Sequence, residues 1–221
     1  MILHVTRHGQ TDVQSDHPPG DPHLTDLGRR QAERLGQALK ELGFAGAIYS
    51  SPYFRTMETA QVVAETTDTY VTPVAEMREH VPRAGRMETF VGATLSDLAA
   101  AYDRVNAEAD LPHPWWTTEV ESDADVAVRV APAVTRALAG GGDALLVGHG
   151  ASALGVHQHL LGDHDAGRER HGDVGWNCFL SSFEMTEPVR VVRLKEFGHL
   201  PDGMITSNAM TREEVLAKAG S

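Results

Sequence analysis

Two short apolar segments of this chain each run directly into a histidine that is followed by glycine. The segment 2–6 leads into Arg7-His8-Gly9, and the segment 144–147 leads into Gly148-His149-Gly150. Apolar runs of this length are typical of buried strands. Because ligands bind at the carboxyl ends of the strands in an open α/β sheet, we expect residues remote in sequence to share one pocket there.

Apolar strands alternate with amphipathic helical patterns along most of the sequence. The predicted strands span 2–6, 47–49, 70–74 and 144–147, and a hairpin is predicted from 179–185 and 189–194. The predicted helices span 26–42, 52–66, 95–102, 123–139, 151–161 and a short tail from 212, with N-caps at Thr25, Ser51, Ser122 and Thr211. This order predicts an α/β fold, a three-layer α/β/α sandwich with a largely parallel sheet.

Proline, glycine and tryptophan interrupt the regular patterning between residues 82 and 121. The pattern predicts one helix there, at 95–102. We therefore expect residues 1–221 to form a single domain in which 82–121 is a small inserted cap over the sheet. Trp115 and Trp116 either line the substrate entrance or close the core beneath this cap.

Charge and cysteine content limit the classes of function. The 221 residues carry a formal net charge of −12 with a pI of about 5.4, which argues against nucleic-acid binding because such surfaces cluster Lys and Arg. A small anionic substrate needs a local positive pocket within this negative field. Cys178 is the only cysteine, and no apolar run approaches the length of a membrane span. We therefore expect a cytoplasmic protein with no membrane partner, and nothing in the pattern selects an oligomeric state.

The residues at the strand ends suit attack on phosphorus. A nucleophilic histidine needs one unprotonated ring nitrogen, and a backbone acceptor for the other nitrogen fixes that tautomer at His8. Phosphoryl transfer also needs donors that are already in place, which Arg7, Arg55 and a protonated His149 supply. Departure of an alkoxide needs a proton, and Glu79 is the candidate acid because a nearby phosphate raises the pKa of a carboxyl.

Six sequence blocks stand in a distinctive order over most of residues 1–150. They are Arg7-His8-Gly9-Gln10-Thr11, Leu24-Thr25-Asp26-Leu27-Gly28, Ser50-Ser51-Pro52 with Arg55 and Thr59-Ala60, Met77-Arg78-Glu79, Glu121-Ser122, and Gly148-His149-Gly150. In this order the blocks resemble those of the histidine phosphatase superfamily. The closer resemblance is to its phosphoglycerate-mutase-like branch.

The resemblance implies a phosphohistidine intermediate at His8, with no metal and no organic cofactor. Glu79 acts in such a mechanism as acid and then as base for water. The implied catalytic residues are Arg7, His8, Arg55, Glu79 and His149. The expected substrate-binding residues are Arg7, Gln10, Thr11, Arg55, His149 and Gly150. The expected partner is a small phosphorylated molecule.

The sequence departs from the family's mutases at residues 12–20. Asp-Val-Gln-Ser-Asp-His-Pro-Pro-Gly stands there in place of the Trp-Asn pair and Gly-Trp segment of the mutases. We therefore expect hydrolysis of phosphomonoesters, since a phosphatase need only admit water. Mutase-type phosphoryl transfer is one alternative, and a phosphate-binding module without turnover is another.

Simpler roles for individual residues stay open. Arg55 can pair with Glu58 on the same helix face, and Glu76 competes with Glu79 as the acid. A metal site is a further alternative, because 157–173 contains His157, His159, Asp163, His164, Asp165, His171 and Asp173. The two histidines of the predicted helix are two residues apart and face different sides, so we favour a solvated acidic helix end and expect no metal.

Overall fold

The structure is a computed structural model that describes residues 1–12, 20–162 and 175–219. Its central sheet consists of β1 (Ile2–Arg7), β2 (Ala47–Ser50), β3 (Val71–Pro73), β4 (Ala144–Gly148), β5 (Leu180–Glu184) and β6 (Arg190–Glu196). The order across the sheet is β3-β2-β4-β1-β5-β6. The first four strands are parallel, and β5 and β6 pair antiparallel at one side. The predicted largely parallel sheet and late hairpin are confirmed.

Helices cover both faces of the sheet. They are α1 (Asp26–Glu41), α2 (Phe54–Thr67), α3 (Leu95–Ala101), α4 (Asp123–Ala139), α5 (Gly150–Leu161) and α6 (Arg212–Ala219). α1 packs on α2, and α4 packs on α5. Because crossovers between parallel strands are right-handed, the strand order places these two pairs on opposite faces, as in the predicted three-layer sandwich. Within the described ranges, no helix has the length and apolar character needed to cross a bilayer.

The two strands that lead into histidines are neighbours at the centre of the sheet. β1 and β4 pair in parallel, with Arg7 opposite Gly148. Leu3, Val5 and Leu145 on these strands are fully buried, because helices cover both faces of a parallel sheet. The strand ends that carry the histidines are therefore adjacent and anchored in the core.

Three of the four predicted N-caps are confirmed, at Thr25, Ser122 and Thr211. The fourth is wrong, because α2 begins at Phe54 and the hydroxyl of Ser51 does not cap it. The carboxylate of Asp21 accepts the N–H of Phe54 instead, at 2.7 Å. Ser51 Oγ lies 2.9 Å from Nε2 of His149, so this hydroxyl contacts a histidine side chain rather than the end of the helix.

Residues 82–121 contribute α3 and most of a second apolar cluster, which also takes in Tyr53 and Val81. This cap cluster consists of Tyr53, Val81, Met87, Phe90 and Trp115. Trp115 is 3% exposed and its indole N–H donates to the carbonyl of Ala93 at 2.8 Å, so it closes the cluster. Residues 104–106 hydrogen-bond to the edge strand β3, which makes part of this region an extension of the sheet.

The C-terminal segment, residues 197–219, follows the last strand of the sheet. Two short strands, β7 (Thr206–Ser207) and β8 (Met210–Thr211), pair antiparallel. They were not predicted, because two-residue strands show no alternation in the sequence. Asn208 in their turn has a left-handed backbone with φ of 53°. The tail helix α6 was predicted.

Candidate active site

His8 lies just beyond the carboxyl end of β1 with its ring buried. Its Nδ1 lies 2.7 Å from the carbonyl oxygen of Gly9. Since a carbonyl only accepts, Nδ1 carries the proton and Nε2 keeps its lone pair. Burial, together with the charges of Arg7 and Arg55, lowers the pKa of His8 well below its usual value. The ring is therefore neutral and in the tautomer that a nucleophile requires.

His149 precedes α5 and is fully buried, with its ring centroid 5.3 Å from that of His8. Burial, together with the charge of Arg55, lowers the pKa of His149 well below its usual value. The ring is thus neutral in this structure, which differs from the protonated form that we expected. Its Nε2 contacts Ser51, and Nδ1 has no hydrogen-bond partner within the described part of the chain. When Ser51 donates to Nε2, the neutral ring still offers an N–H at Nδ1.

The guanidinium of Arg7 is held by two uncharged acceptors that are remote in sequence. Nη1 donates to the carbonyl of Gly175, and Nη2 donates to Oδ1 of Asn208. The Nε atom is buried and has no hydrogen-bond partner among residues 1–12, 20–162 and 175–219. Its hydrogen-bond acceptors are neutral and orient the group without offsetting its charge, on which the carboxylate of Glu79 acts only electrostatically.

Arg55 lies in the first turn of α2 and is held differently. Its Nη1 lies 3.0 Å from Oδ1 of Asp21, and its guanidinium carbon lies 4.3 Å from the ring centroid of Tyr53. Glu58 instead accepts from Nδ1 of His23 at 2.6 Å. The alternative of an Arg55–Glu58 pair is therefore wrong.

The carboxylate of Asp21 links the start of α2 to the pocket. It pairs with Arg55 and also accepts the N–H of Phe54. Burial outweighs the charge of Arg55 and raises the pKa of Asp21 from 3.8 to about 6. Protonation of this carboxylate at mildly acidic pH therefore leaves the charge of Arg55 without its counter-ion.

Glu79 follows β3 and a short 3-10 helix, and it faces His149. Its Oε2 lies 3.7 Å from Nδ1 of His149, and its Oε1 accepts the N–H of His80 at 3.0 Å. Burial opposes ionisation, but the hydrogen bonds from His80 and the charge of Arg55 outweigh it and lower the pKa of Glu79 below its ordinary value. The expected rise of this pKa therefore depends on the charge of a bound phosphate. Glu76, the competing acid, pairs instead with Arg136 of α4 at 3.2 Å.

Ion pairs brace the loop that carries Glu79. Glu121 accepts from Arg78 at 2.8 Å and from Arg129 at 2.6 Å. Arg129 also donates to the carbonyl oxygen of Arg78 at 3.1 Å. The three side chains are largely shielded from solvent, and hydrogen bonds between charged groups are stronger than those between neutral ones. This network connects the sequence block 77–79 to the block 121–122.

Gln10, Thr11 and Gly150 have a less direct relation to the pocket. Oε1 of Gln10 accepts from the hydroxyl of Thr25 at 2.9 Å, and Thr11 forms an isolated bridge with Leu24. Gly150 is the first residue of α5, so its N–H is among the helix-end donors without a partner inside the helix. A role of these three residues in substrate binding stays a prediction.

His157 does not lie in a solvated helix end. Its ring packs against Phe183 at a centroid distance of 5.3 Å, and burial lowers its pKa to about 3. No group of three His, Cys, Asp or Glu side chains suited to a metal ion occurs among the described residues. Five members of the proposed alternative lie outside those residues, namely Asp163, His164, Asp165, His171 and Asp173.

The structure thus brings two arginines, two neutral histidines and one carboxylate into mutual electrostatic contact. A family model described as histidine phosphatase superfamily (branch 1) matches residues 3–196. The chain belongs to the histidine phosphatase superfamily. The resemblance read from the six sequence blocks is confirmed, and with it membership in a family of phosphatase-type enzymes.

Solved structures of other histidine phosphatases are similar over nearly the whole chain. An ecdysone phosphate phosphatase from Bombix mori, in complex with tungstate, has a TM-score of 0.70 at 17% identity and covers 97% of this chain and 99% of its own. A mycobacterial glucosyl-3-phosphoglycerate phosphatase has a TM-score of 0.62 at 25% identity, and the match covers 88% of this chain and 98% of that one. A phosphoserine phosphatase from Entamoeba histolytica, in complex with 3-phosphoglyceric acid, has a TM-score of 0.61 at 22% identity, and the match covers 90% of this chain and 99% of that one. No protein of curated function matches the sequence.

Sequence reasoning missed most groups that hold the pocket of this histidine phosphatase in place. They are Asp21, Ser51 in its contact with His149, Tyr53, Asn177 and Asn208. Tyr53 lies two residues from Arg55, but the other four have no partner within the same turn or strand, so local spacing carries no signal for them. Ser51 belongs to one of the six sequence blocks, but the block did not predict its contact with His149.

Proposed function

We propose that this protein hydrolyses phosphomonoesters of small metabolites through a phosphohistidine intermediate at His8, without a metal ion. The observation that carries the proposal is the bond from Nδ1 of His8 to Gly9, which leaves Nε2 as the nucleophile beside two buried arginines. In the first step Nε2 attacks phosphorus and the bond from phosphorus to the leaving oxygen breaks. Arg7, Arg55 and the Nδ1–H of His149 stabilise the charge on the equatorial oxygens.

Glu79 completes both steps as acid and base. It gives its proton to the leaving oxygen and then takes a proton from water. The water oxygen attacks phosphorus, the bond from phosphorus to Nε2 of His8 breaks, and inorganic phosphate leaves. The like charge of the bound phosphate raises the pKa of Glu79, which opposes the lowering by His80 and Arg55.

The residues of the pocket support a phosphomonoester as the substrate, but they do not identify the alcohol that leaves. The similar structures are named for three different phosphorylated molecules. Two arginines supply the positive charge that a metal ion provides in other phosphatases, and the neutral imidazole of His149 adds an N–H donor, which favours a metal-independent reaction. We also propose a cytoplasmic location, since the single thiol, Cys178, is free and buried, as suits a reducing compartment.

Acid-quench experiments with an aryl phosphate test the intermediate. An acid-labile phosphoenzyme should accumulate in the wild-type protein, and His8→Ala should abolish both the phosphoenzyme and turnover. His4→Gln is the matched control, because His4 is a buried histidine on the same strand that contacts Ser182 at 2.9 Å and not the pocket. Full activity of His8→Ala would refute the mechanism.

Comparison of leaving groups tests the acid. Glu79→Gln should lower kcat for an alkyl phosphate by about 100-fold or more. The loss for an aryl phosphate should be much smaller, because phenoxide leaves without needing a proton. Glu76→Gln removes a neighbouring carboxylate whose partner is Arg136 and should leave both rates unchanged. Equal losses on the two substrates would assign the acid to another group.

Three assays separate the alternatives. Incubation with 3-phosphoglycerate and a bisphosphoglycerate primer should release phosphate faster than it isomerises the substrate, and the reverse order would establish a mutase. Activity should survive a chelator. Binding of phosphate without turnover on a broad panel of phosphorylated metabolites would favour a non-catalytic module.

A further inference from the structure

The C-terminal segment reaches the phosphate pocket although it lies beyond the range 3–196 that the family model matches. The turn between β7 and β8 places Oδ1 of Asn208 as the acceptor for Nη2 of Arg7. The hydroxyl of Ser207 donates at 3.1 Å to the carbonyl of Gly175, the same carbonyl that accepts from Nη1 of Arg7. Each acceptor of this arginine is therefore part of the hairpin or bonded to it.

The same hairpin also braces the residue that follows Arg7. The hydroxyl of Thr206 donates to Oδ1 of Asn177 at 3.1 Å, and Nδ2 of Asn177 donates to the carbonyl of His8 at 3.0 Å. Nε2 of Gln31 donates to the same threonine hydroxyl at 2.9 Å. The hairpin thus contacts Arg7 directly and supports His8 through Asn177.

The turn is anchored and suited to present an asparagine side chain. Asn208 has a φ of 53°, a region that asparagine and glycine tolerate better than other residues. Ile205 before the hairpin and Val215 after it are buried in the core. The N–H of Arg212 donates to the carbonyl of Ile205 at 3.0 Å, which closes the segment on itself. The acceptor on Asn208 is therefore held by packing on both sides.

Holding both Nη atoms fixes the plane of the Arg7 guanidinium. Its Nε lacks a partner within the described residues, so Nε–H is available to a phosphate. A pre-oriented guanidinium loses less freedom on binding than a mobile one, and it is aligned before charge develops in the transition state. Because Asn208 and Gly175 are neutral acceptors, this alignment leaves the positive charge intact.

We propose that Asn208 is a positioning residue, which orients Arg7 for the substrate phosphate and makes the C-terminal segment part of the active site. The inference rests on the proposed function in one respect, namely that Arg7 binds the phosphate group. It assigns a function to residues outside the family-matched range.

Two glycine variants of the same turn test the role of Asn208. Asn208→Gly keeps a residue that tolerates the left-handed backbone and removes the acceptor. It should lower kcat/KM for an aryl phosphate and weaken binding of inorganic phosphate, each by about ten-fold. Ala209→Gly loosens the adjacent turn position without removing an acceptor, and both rates and binding should stay within about two-fold of wild type. Melting temperatures of the two variants show whether the turn itself is equally loosened.

A double-mutant cycle shows whether the effect passes through Arg7. In an Arg7→Ala background, Asn208→Gly should have almost no further effect on kcat/KM, because its target is gone. A ten-fold loss in both backgrounds, or equal losses in Asn208→Gly and Ala209→Gly, would overturn the inference. A wild-type protein that neither binds phosphate nor hydrolyses an aryl phosphate would overturn the proposed function itself, which distinguishes the two failures.

Discussion

Arg7 and Arg55 face the same pocket but are held by opposite kinds of partner. Arg7 is held by the carbonyl of Gly175 and the side-chain amide of Asn208, both uncharged. Arg55 is held by the carboxylate of Asp21 at 3.0 Å. Glu79 acts electrostatically on both arginines, but Asp21 offsets part of the charge of Arg55 alone before a ligand arrives.

This difference shows that the position and the charge of an arginine are set separately. Neutral acceptors fix only position, so the contribution of Arg7 should not change with the ionisation of Asp21. A carboxylate with a pKa raised to about 6 fixes position and also makes the contribution of Arg55 depend on pH. Arg55 further stacks on Tyr53 and so is connected to the cap cluster. The side of the pocket formed by Arg7, the Arg7 wall, therefore keeps the same charge whether or not Asp21 is ionised. The charge of the side formed by Arg55, the Arg55 wall, changes when Asp21 ionises.

Removal of each arginine should give the largest contrast. Arg7→Ala should lower kcat/KM for an aryl phosphate by about 1,000-fold and Arg55→Ala by about 100-fold, since Arg55 alone has part of its charge offset by a paired carboxylate, that of Asp21. Steady-state kinetics at constant ionic strength measure both values. Equal losses would show that Asp21 does not offset the charge of Arg55.

Stability is the control for this contrast. Arg55→Ala leaves the carboxylate of Asp21 buried without its counter-ion and should lower the melting temperature more than Arg7→Ala does. The double variant Arg55→Ala/Asp21→Asn should regain much of that loss. If it does not, the lower melting temperature reflects lost packing on Tyr53 rather than an unpaired charge.

The fold was largely predictable because its signals are local. Apolar periodicity and the capping residues Thr25 and Ser122 lie within one turn of the groups they serve. The start of α2 was wrong because its cap comes from Asp21, 33 residues before Phe54. The β7–β8 hairpin was missed because its strands are too short to show a pattern. Long-range partners and very short strands leave no trace in spacing.

The residues of the motif blocks could be predicted to lie together, but the side chains that support them could not. Motif blocks located His8, Arg55 and Glu79, which the structure brings together. Asn208 is 201 residues from Arg7, a contact that only the folded chain creates. The protonated state expected for His149 was also not reproduced, because burial and neighbouring charges depend on the tertiary structure.

Substitution of Tyr53 tests the aromatic support of the Arg55 wall. Its ring lies 4.3 Å from the guanidinium of Arg55, 5.0 Å from the ring of His149 and 4.9 Å from that of Trp115. Tyr53→Leu should lower kcat/KM by about ten-fold, because it removes the cation–π contact and a face of His149. Tyr53→Phe keeps the ring and should stay within about three-fold.

The kinetics of these two variants decide whether the ring or the hydroxyl matters. Losses of equal size would assign the effect to the phenol oxygen and remove the aromatic argument. A Tyr53→Leu variant whose phosphate affinity is unchanged would show that packing of the cap cluster, and not the orientation of Arg55, limits turnover.

Asp21→Asn should change phosphate affinity less than Tyr53→Leu or the arginine substitutions change kcat/KM, and its effects should depend on pH. The pKa of Asp21 is raised from 3.8 to about 6 on folding, so its contribution to stability is present below pH 4 and is lost as the pH rises through 6. Asparagine keeps an acceptor for Phe54 and does not ionise. Relative to wild type, the variant should therefore gain free energy of unfolding between pH 4 and 7, by at most about 3 kcal/mol.

Phosphate affinity should follow the same ionisation. Above pH 6 the variant frees the charge of Arg55 and should bind inorganic phosphate about two- to five-fold more tightly than wild type, whereas below pH 5 the two proteins should converge. Both proteins bind the same ionic forms of phosphate, so the ratio of their inhibition constants isolates Asp21. A ratio that stays constant from pH 5 to 8 would mean that the carboxylate does not titrate in this range. The charge that Arg55 offers to a ligand would then be as independent of Asp21 ionisation as that of Arg7. The two arginines would differ only in how they are positioned.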